Sequence, residues 1–157
     1  MNSPKSKGAN SRDWKTVTSL ACSSQKKHVW SPVHGPGLAG LGGLFDLIVA
    51  NPPYIAGREG RLYRDGGNLF GAEQALDWLN SALPRLTAGG RLVLYTGAPV
   101  VGGRDLVREG LESILTDDST LAYSERDPDV FGNLLQGEAY GAVERIAAIG
   151  AVVTRRC

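Results

Sequence analysis

The sequence predicts an α/β fold: parallel strands with an antiparallel C-terminal edge strand. Three observations predict it. The stretch "LFDLIVA" (44–50) is a short, continuous apolar run with β-branched residues, and "RLVLYTG" (91–97) is a second one. Such runs fit strands buried on both faces of a parallel sheet. Between them Leu76, Leu79, Leu83 and Leu86 recur at spacings of three and four, the stripe of an amphipathic crossover helix. Finally, "TLAYSERD" (120–127) and "ERIAAIGAVVTR" (144–155) are separated by "PDVFGNLLQGEAYGAV", which is too short for a full crossover after its turn residues. The last pair is therefore antiparallel.

The remaining elements are taken in chain order. Residues 1–34 are Ser/Lys-rich and show neither helical nor strand periodicity, so they are expected to be disordered or poorly packed. The Gly-rich "GPGLAGLGG" (35–43) reads as a linker into the first strand. Residues 56–70 are polar and Gly-rich and form a loop. The Leu-striped helix is kinked at Pro84 and stopped by Gly89-Gly90, with Trp78 packing on one face. In "GRDLVREGLESIL" (103–115) the apolar pairs again fall on one helical face, and Asp117-Asp118 mark a turn. Asp127-Pro128-Asp129 with Phe131 reads as a loop turn, and no internal repeat is visible.

With 42% hydrophobic and 21% charged residues, the 157-residue chain fits one modest globular domain. No apolar run is long enough to span a bilayer, so no membrane partner is expected. Nor does the N-terminus show the apolar core and cleavage site of a secretory signal, which points to the cytoplasm. Cys22 and Cys157 form no metal or redox spacing, and His28 and His34 have no ligand cluster around them. No metal site is expected.

The net charge of +1 conceals a break. Residues 1–43 hold all five lysines, six basic residues against the single acid Asp13, for +5. Residues 44–157 hold eleven arginines and fifteen acids, for −4. A basic arm for nucleic acid is one reading of the leader; a foreign or misframed segment is the reading favoured by the break. The expected organisation is a disordered or non-homologous leader, 1–43, and a second unit, 44–157. That second unit has no basic face, which disfavours nucleic-acid partners.

The chemistry concentrates at Asn51-Pro52-Pro53-Tyr54. In an open α/β sheet, ligands bind beyond the carboxyl ends of the parallel strands, and this tetrapeptide comes directly after strand 44–50. The Asn51 amide oxygen is an acceptor. Pro52 and Pro53 carry no N–H, and Pro53 holds Pro52 extended, which sets the direction of the Pro52 carbonyl. Tyr54 adds a flat face. Two acceptors and a ring make a slot for an –NH₂ on a planar conjugated group. Such a nitrogen is weakly nucleophilic; fixing both its hydrogens orients it and stabilises positive charge as it is alkylated.

With its flanking strand, loop, helix, Gly-Gly and second strand, "DLIVANPPYI" resembles the fourth motif of class I S-adenosylmethionine-dependent amino-methyltransferases. This group includes the release-factor glutamine and adenine exocyclic-amine methyltransferases. "YRDGGNLFGAEQALDWLNSALPRLTAGGRLVLYTG" (63–97) is similar to the matching part of the glutamine-modifying group. The resemblance covers about residues 44–155. It implies the C-terminal half of a Rossmann-like methyltransferase sheet. Asn51 and the Pro52 carbonyl would hold the target nitrogen, with Asn51 also beside the cofactor, and Tyr54 would stack on the target group. Pro53, Arg64, Asp65, Gly66 and Gly67 would line the substrate mouth. It further implies S-adenosylmethionine as cofactor and a protein glutamine as favoured acceptor, for instance in a release factor or ribosomal protein, with adenine second.

This family builds its cofactor site from the first half of the fold. In "HGPGLAGLGG" no strand precedes the glycines and no helix comes after them, so the glycine-loop context is absent. The expectation is therefore a truncated methyltransferase-like chain that binds S-adenosylmethionine very weakly. The alternative is a non-catalytic remnant or interaction module lacking the cofactor-binding half.

Overall fold

A computed structural model describes residues 19–21, 38, 41–56, 66–130 and 132–156. The elements are β1 (Ser19–Ala21), β2 (Phe45–Ala50), α1 (Glu73–Ala82), β3 (Leu86–Val101), β4 (Arg104–Asp105), α2 (Leu106–Ile114), β5 (Ser119–Asp127) and β6 (Arg145–Arg155). They build one α/β sheet in the order β1-β2-β3-β6-β5, with β4 folded back on the end of β3. β2 and β3 pair in parallel across the α1 crossover, with Ile48 beside Leu92 and Ala50 beside Leu94. β6 is antiparallel to both β3 and β5, so β2, β3 and β5 run one way.

The last strand is antiparallel, as the sequence predicts, but it lies inside the sheet rather than at its edge. The residues explain the placement. β6 is almost continuously buried, whereas β5 alternates toward solvent and ends in Ser-Glu-Arg-Asp. An apolar strand needs two neighbours, while a polar one tolerates an open rim.

Two further boundaries differ from expectation. The helix ends at Ala82; Leu83–Arg85 make a 3₁₀ turn with Pro84 near its start, and Leu86 already pairs with Phe45. Gly89-Gly90 therefore do not stop the helix. They sit in a bulge of β3 opposite the Phe45–Leu47 register shift, with Gly89 at φ 75°. Ser19–Ala21 of the leader form a strand where the pattern predicts none, supplying antiparallel partners to the outer edge of β2. Within the expected linker, Leu38 is buried in the core and its carbonyl accepts from Arg85 at 3.2 Å. Residues 1–18, 22–37 and 39–40 of the leader, which include Cys22, His28 and His34, lie outside the described residues, as do Phe131 and Cys157.

The core lies on one side of the sheet. Ile48, Ala50, Leu92, Leu94, Ile149 and Val153 pack under Trp78 and Leu79 of α1 and Val107 and Leu111 of α2. Gly110 lets the helices meet, since a Cβ there would lie 2.6 Å from Leu76 Cδ1. Asp105 caps α2: one carboxylate oxygen accepts the Arg108 N–H at 2.9 Å and the other the Tyr123 hydroxyl at 2.5 Å. Burial, with the Asp105 carboxylate, raises the Tyr123 phenol far above its usual range.

The opposite face carries neither α1 nor α2. Val49 is 39% and Tyr95 48% exposed there. No helix of the described residues is long and apolar enough to cross a membrane.

Candidate functional site

Beyond Ala50 the chain leaves β2 without regular structure, and the Asn-Pro-Pro-Tyr turn sits at the carboxyl end of this parallel strand. Asn51 is exposed, Pro52 is fully buried, and Pro53 and Tyr54 are half-buried. The buried Pro52 ring anchors the turn beside a side chain that solvent can reach.

Tyr54 lies against β3 at a position that requires glycine. A Cβ on Gly97 would fall 2.6 Å from Tyr54 Cδ2 and 3.3 Å from Ile146 Cγ2. Tyr54, Tyr95, Thr96, Gly97, Val130 and Ala148 line a small, partly open cavity of about 60 Å³. Thr96 is 1% exposed and its hydroxyl finds no hydrogen-bond partner among the described residues. Its neighbour across the ladder, Ile149, belongs to the helix-side core, so the orphan hydroxyl lies on that side of β3.

A second strip of backbone presses on the turn. The Gly66 N–H donates to the Ile55 carbonyl at 2.9 Å, and the Gly66 carbonyl accepts from Gln74 at 3.0 Å. A Cβ on Gly71, where φ is 94°, would lie 2.5 Å from the Tyr54 oxygen, and one on Gly66 would lie 2.1 Å from the Gly71 oxygen. Leu69 and Phe70 take left-handed φ values of 52° and 56° to bring the strip this close. Such conformations cost roughly 1–3 kcal/mol each. Glu73 holds the strip's far end, accepting the Asn68 N–H at 2.7 Å and its side-chain amide at 3.1 Å. Those bonds, the backbone one foremost, lower the Glu73 carboxyl below its usual range.

On the other flank, Tyr140 of the β5–β6 connection accepts the Ala56 N–H on its hydroxyl at 2.6 Å. Its ring is 3% exposed, in a small cluster with Val143, Ile146, Ala56 and Phe70.

Asn51, Pro52, Pro53 and Tyr54 thus share one site, and the strip that begins with Gly66 and Gly67 packs against it. Gly66 serves close backbone packing, and Gly67, at φ 78°, abuts the Glu73 side chain. Arg64 and Asp65 lie outside the described residues. Sequence reasoning missed Gly97, Tyr95, Val130, Ala148 and Tyr140. Only Gly97 left a signal, as a glycine closing an apolar strand run, which often marks a close backbone approach.

Among the described residues, those beside Tyr54 offer no seat of the size of S-adenosylmethionine, the cofactor implied by resemblance. The cavity of about 60 Å³ falls well short of the roughly 300–1,000 Å³ of small-molecule sites. Among the described residues, the sheet holds only the three residues of β1 on the side of β2 away from β3. Among the described residues no cluster of His, Cys, Asp and Glu could hold a metal.

No protein-family profile and no curated protein matches the chain. Similar solved structures include a methyltransferase from Pyrococcus furiosus, with 16% identity over 74% of this chain and a TM-score of 0.41. TrmN from Thermus thermophilus matches with 21% identity over 78% of this chain, also at a TM-score of 0.41. SMU.776 complexed with SAH matches with 14% identity over 69%, at a TM-score of 0.33. The chain spans 44%, 27% and 26% of the lengths of these three structures. Superpositions of this extent assign no activity. The α/β sheet stands on the strand order and directions of this chain itself.

Proposed function

We propose that this chain is methyltransferase-like and carries the acceptor half of a transfer site, which seats a planar –NH₂ group at the carboxyl end of β2. The observation that carries the reading is the Asn51–Tyr54 turn. An exposed amide is anchored by a buried proline and followed by a ring held on Gly97. In this reading the Asn51 amide oxygen and the Pro52 carbonyl accept the two N–H bonds, and Tyr54 supports the conjugated plane. The site faces outward from a rigid strand end, which suits a substrate presented on another molecule.

The net charge of −4 over residues 44–157 supports a protein carboxamide over a base in a nucleic acid. A glutamine side chain of a protein such as a release factor or ribosomal protein is the favoured acceptor, and an adenine amine is second. S-adenosylmethionine is the donor the resemblance implies. The described residues give it no seat, so the chain's own share is to hold and orient the nitrogen.

The bare face of β2 and β3 favours one other reading, a non-catalytic interaction module that works only when another polypeptide covers that face. Titration of the labelled chain with N-acetylglutamine amide, followed by NMR, separates the two. The acceptor reading expects saturable shifts at Asn51–Tyr54 and Gly97, with adenosine binding more weakly. Asn51→Ala should weaken the carboxamide at least tenfold, about 1.4 kcal/mol, with the melting temperature unchanged because Asn51 is exposed. Carboxamide shifts that Asn51→Ala does not alter would remove Asn51 from the site.

A further inference from the structure

We infer that Tyr140 is a positioning residue of the acceptor seat, and that its hydroxyl fixes the Asn51–Ala56 turn from across the sheet. The role rests on the acceptor reading, while the hydrogen bond itself does not.

Pro52 and Pro53 have no N–H to tie the turn to a neighbouring strand. Two hydrogen bonds secure the stretch after β2 at Ile55 and Ala56. Ile55 is held on its carbonyl by Gly66, and Ala56 on its N–H by the Tyr140 hydroxyl, 84 residues away, at 2.6 Å. Tyr140 can act as a fixed point because both of its ends are constrained. Its backbone closes a 3₁₀ turn, with its N–H on Gly137 at 3.0 Å and its carbonyl accepting Val143 at 2.8 Å. Its ring packs with Val143 and Ile146, and Ile146 borders the Gly97 gap that Tyr54 fills.

The same connection supplies a wall of the cavity. Val130 lines it beside Tyr54, and its N–H donates to the Ile146 carbonyl at 3.0 Å. Arg145 draws the connection inward by donating to the Pro128 carbonyl at 2.8 Å. One segment, remote in sequence from the turn, therefore both walls the seat and clamps the chain two residues beyond its aromatic ring. Losing the hydroxyl leaves a part-buried N–H without this partner, and the turn gains freedom where Tyr54 must be held.

Tyr140→Phe tests this, since it keeps the ring and removes one oxygen. Amide exchange at Ala56 should quicken at least tenfold, while β3 and β6 amides in the same sample, which report global unfolding, stay as in the wild type. Affinity for N-acetylglutamine amide should fall at least threefold. Unchanged exchange at Ala56 would overturn the clamp. Faster exchange with unchanged carboxamide affinity would overturn the positioning role and leave a purely structural bond. If the wild-type chain binds no carboxamide, the acceptor reading fails, and the exchange at Ala56 alone upholds or overturns the clamp.

Discussion

The two faces of this sheet are made from the same strands and meet different fates. On the helix side, Ile48, Leu92, Leu94, Ile149 and Val153 are all but sealed under α1 and α2. On the other side, residues one position along the same strands, Val49 and Tyr95, stand open to solvent, and among the described residues the Tyr140 cluster covers the carboxyl end. Strands apolar on both faces are those of a parallel sheet covered on both sides. β2 and β3 thus have a composition for two-sided burial, and this chain's helices complete one side. The acceptor turn sits at the strand end, where the covered part of the second face begins.

The largest effect should come from Leu92→Ala, which opens a cavity on the sealed face and should cost about 2–5 kcal/mol in denaturant unfolding. On the open face, Val49→Lys should stay within about 0.5 kcal/mol of wild type. A cost above about 2 kcal/mol there would erase the distinction between the faces, because it would mean that the open one is covered. Gly97→Ala should come next, at roughly 1–3 kcal/mol. The new methyl group would occupy the Tyr54 ring position, so carboxamide binding should be lost before stability is. Intact carboxamide binding in that variant would remove Tyr54 from the seat.

The smallest effect is electrostatic. Glu73 has its folded-state value lowered below the ordinary 4.5 by the Asn68 bonds. A lowered carboxylate stabilises above its unfolded value, and the contribution is lost as pH falls through the folded one. The Asn68 amide signal should therefore be constant from neutral pH to about pH 5 and shift only below 4.5. A midpoint at or above the ordinary value would show that the Asn68–Glu73 tie is not formed.

Much of this was legible in the sequence, and for a physical reason. β2, the apolar stretch 91–97 of β3, and α2 carry their own periodicity, and Asn51–Tyr54 is contiguous, so local pattern suffices. Where long-range packing decides, pattern fails. Leu86 keeps the helical spacing of Leu79 and Leu83, yet Pro84 has already ended the helix and Leu86 pairs with Phe45. The interior position of β6 was readable in principle from its composition against that of β5, but connection length alone points to an edge. Tyr140 was invisible, because its partner Ala56 is 84 residues away and nothing in "GEAYGAV" signals a clamp. Ser19–Ala21 carry no strand pattern of their own and are strand through long-range pairing with β2.

In the proposed reading this chain carries the acceptor turn, while the described residues around it supply no donor side. Calorimetric titration of the chain with S-adenosylmethionine puts that division to the test. The expected result is no saturable binding at micromolar concentrations, because among the described residues only β1 flanks β2 on the side away from β3. Saturable binding with a micromolar Kd would show instead that this chain builds a donor site of its own.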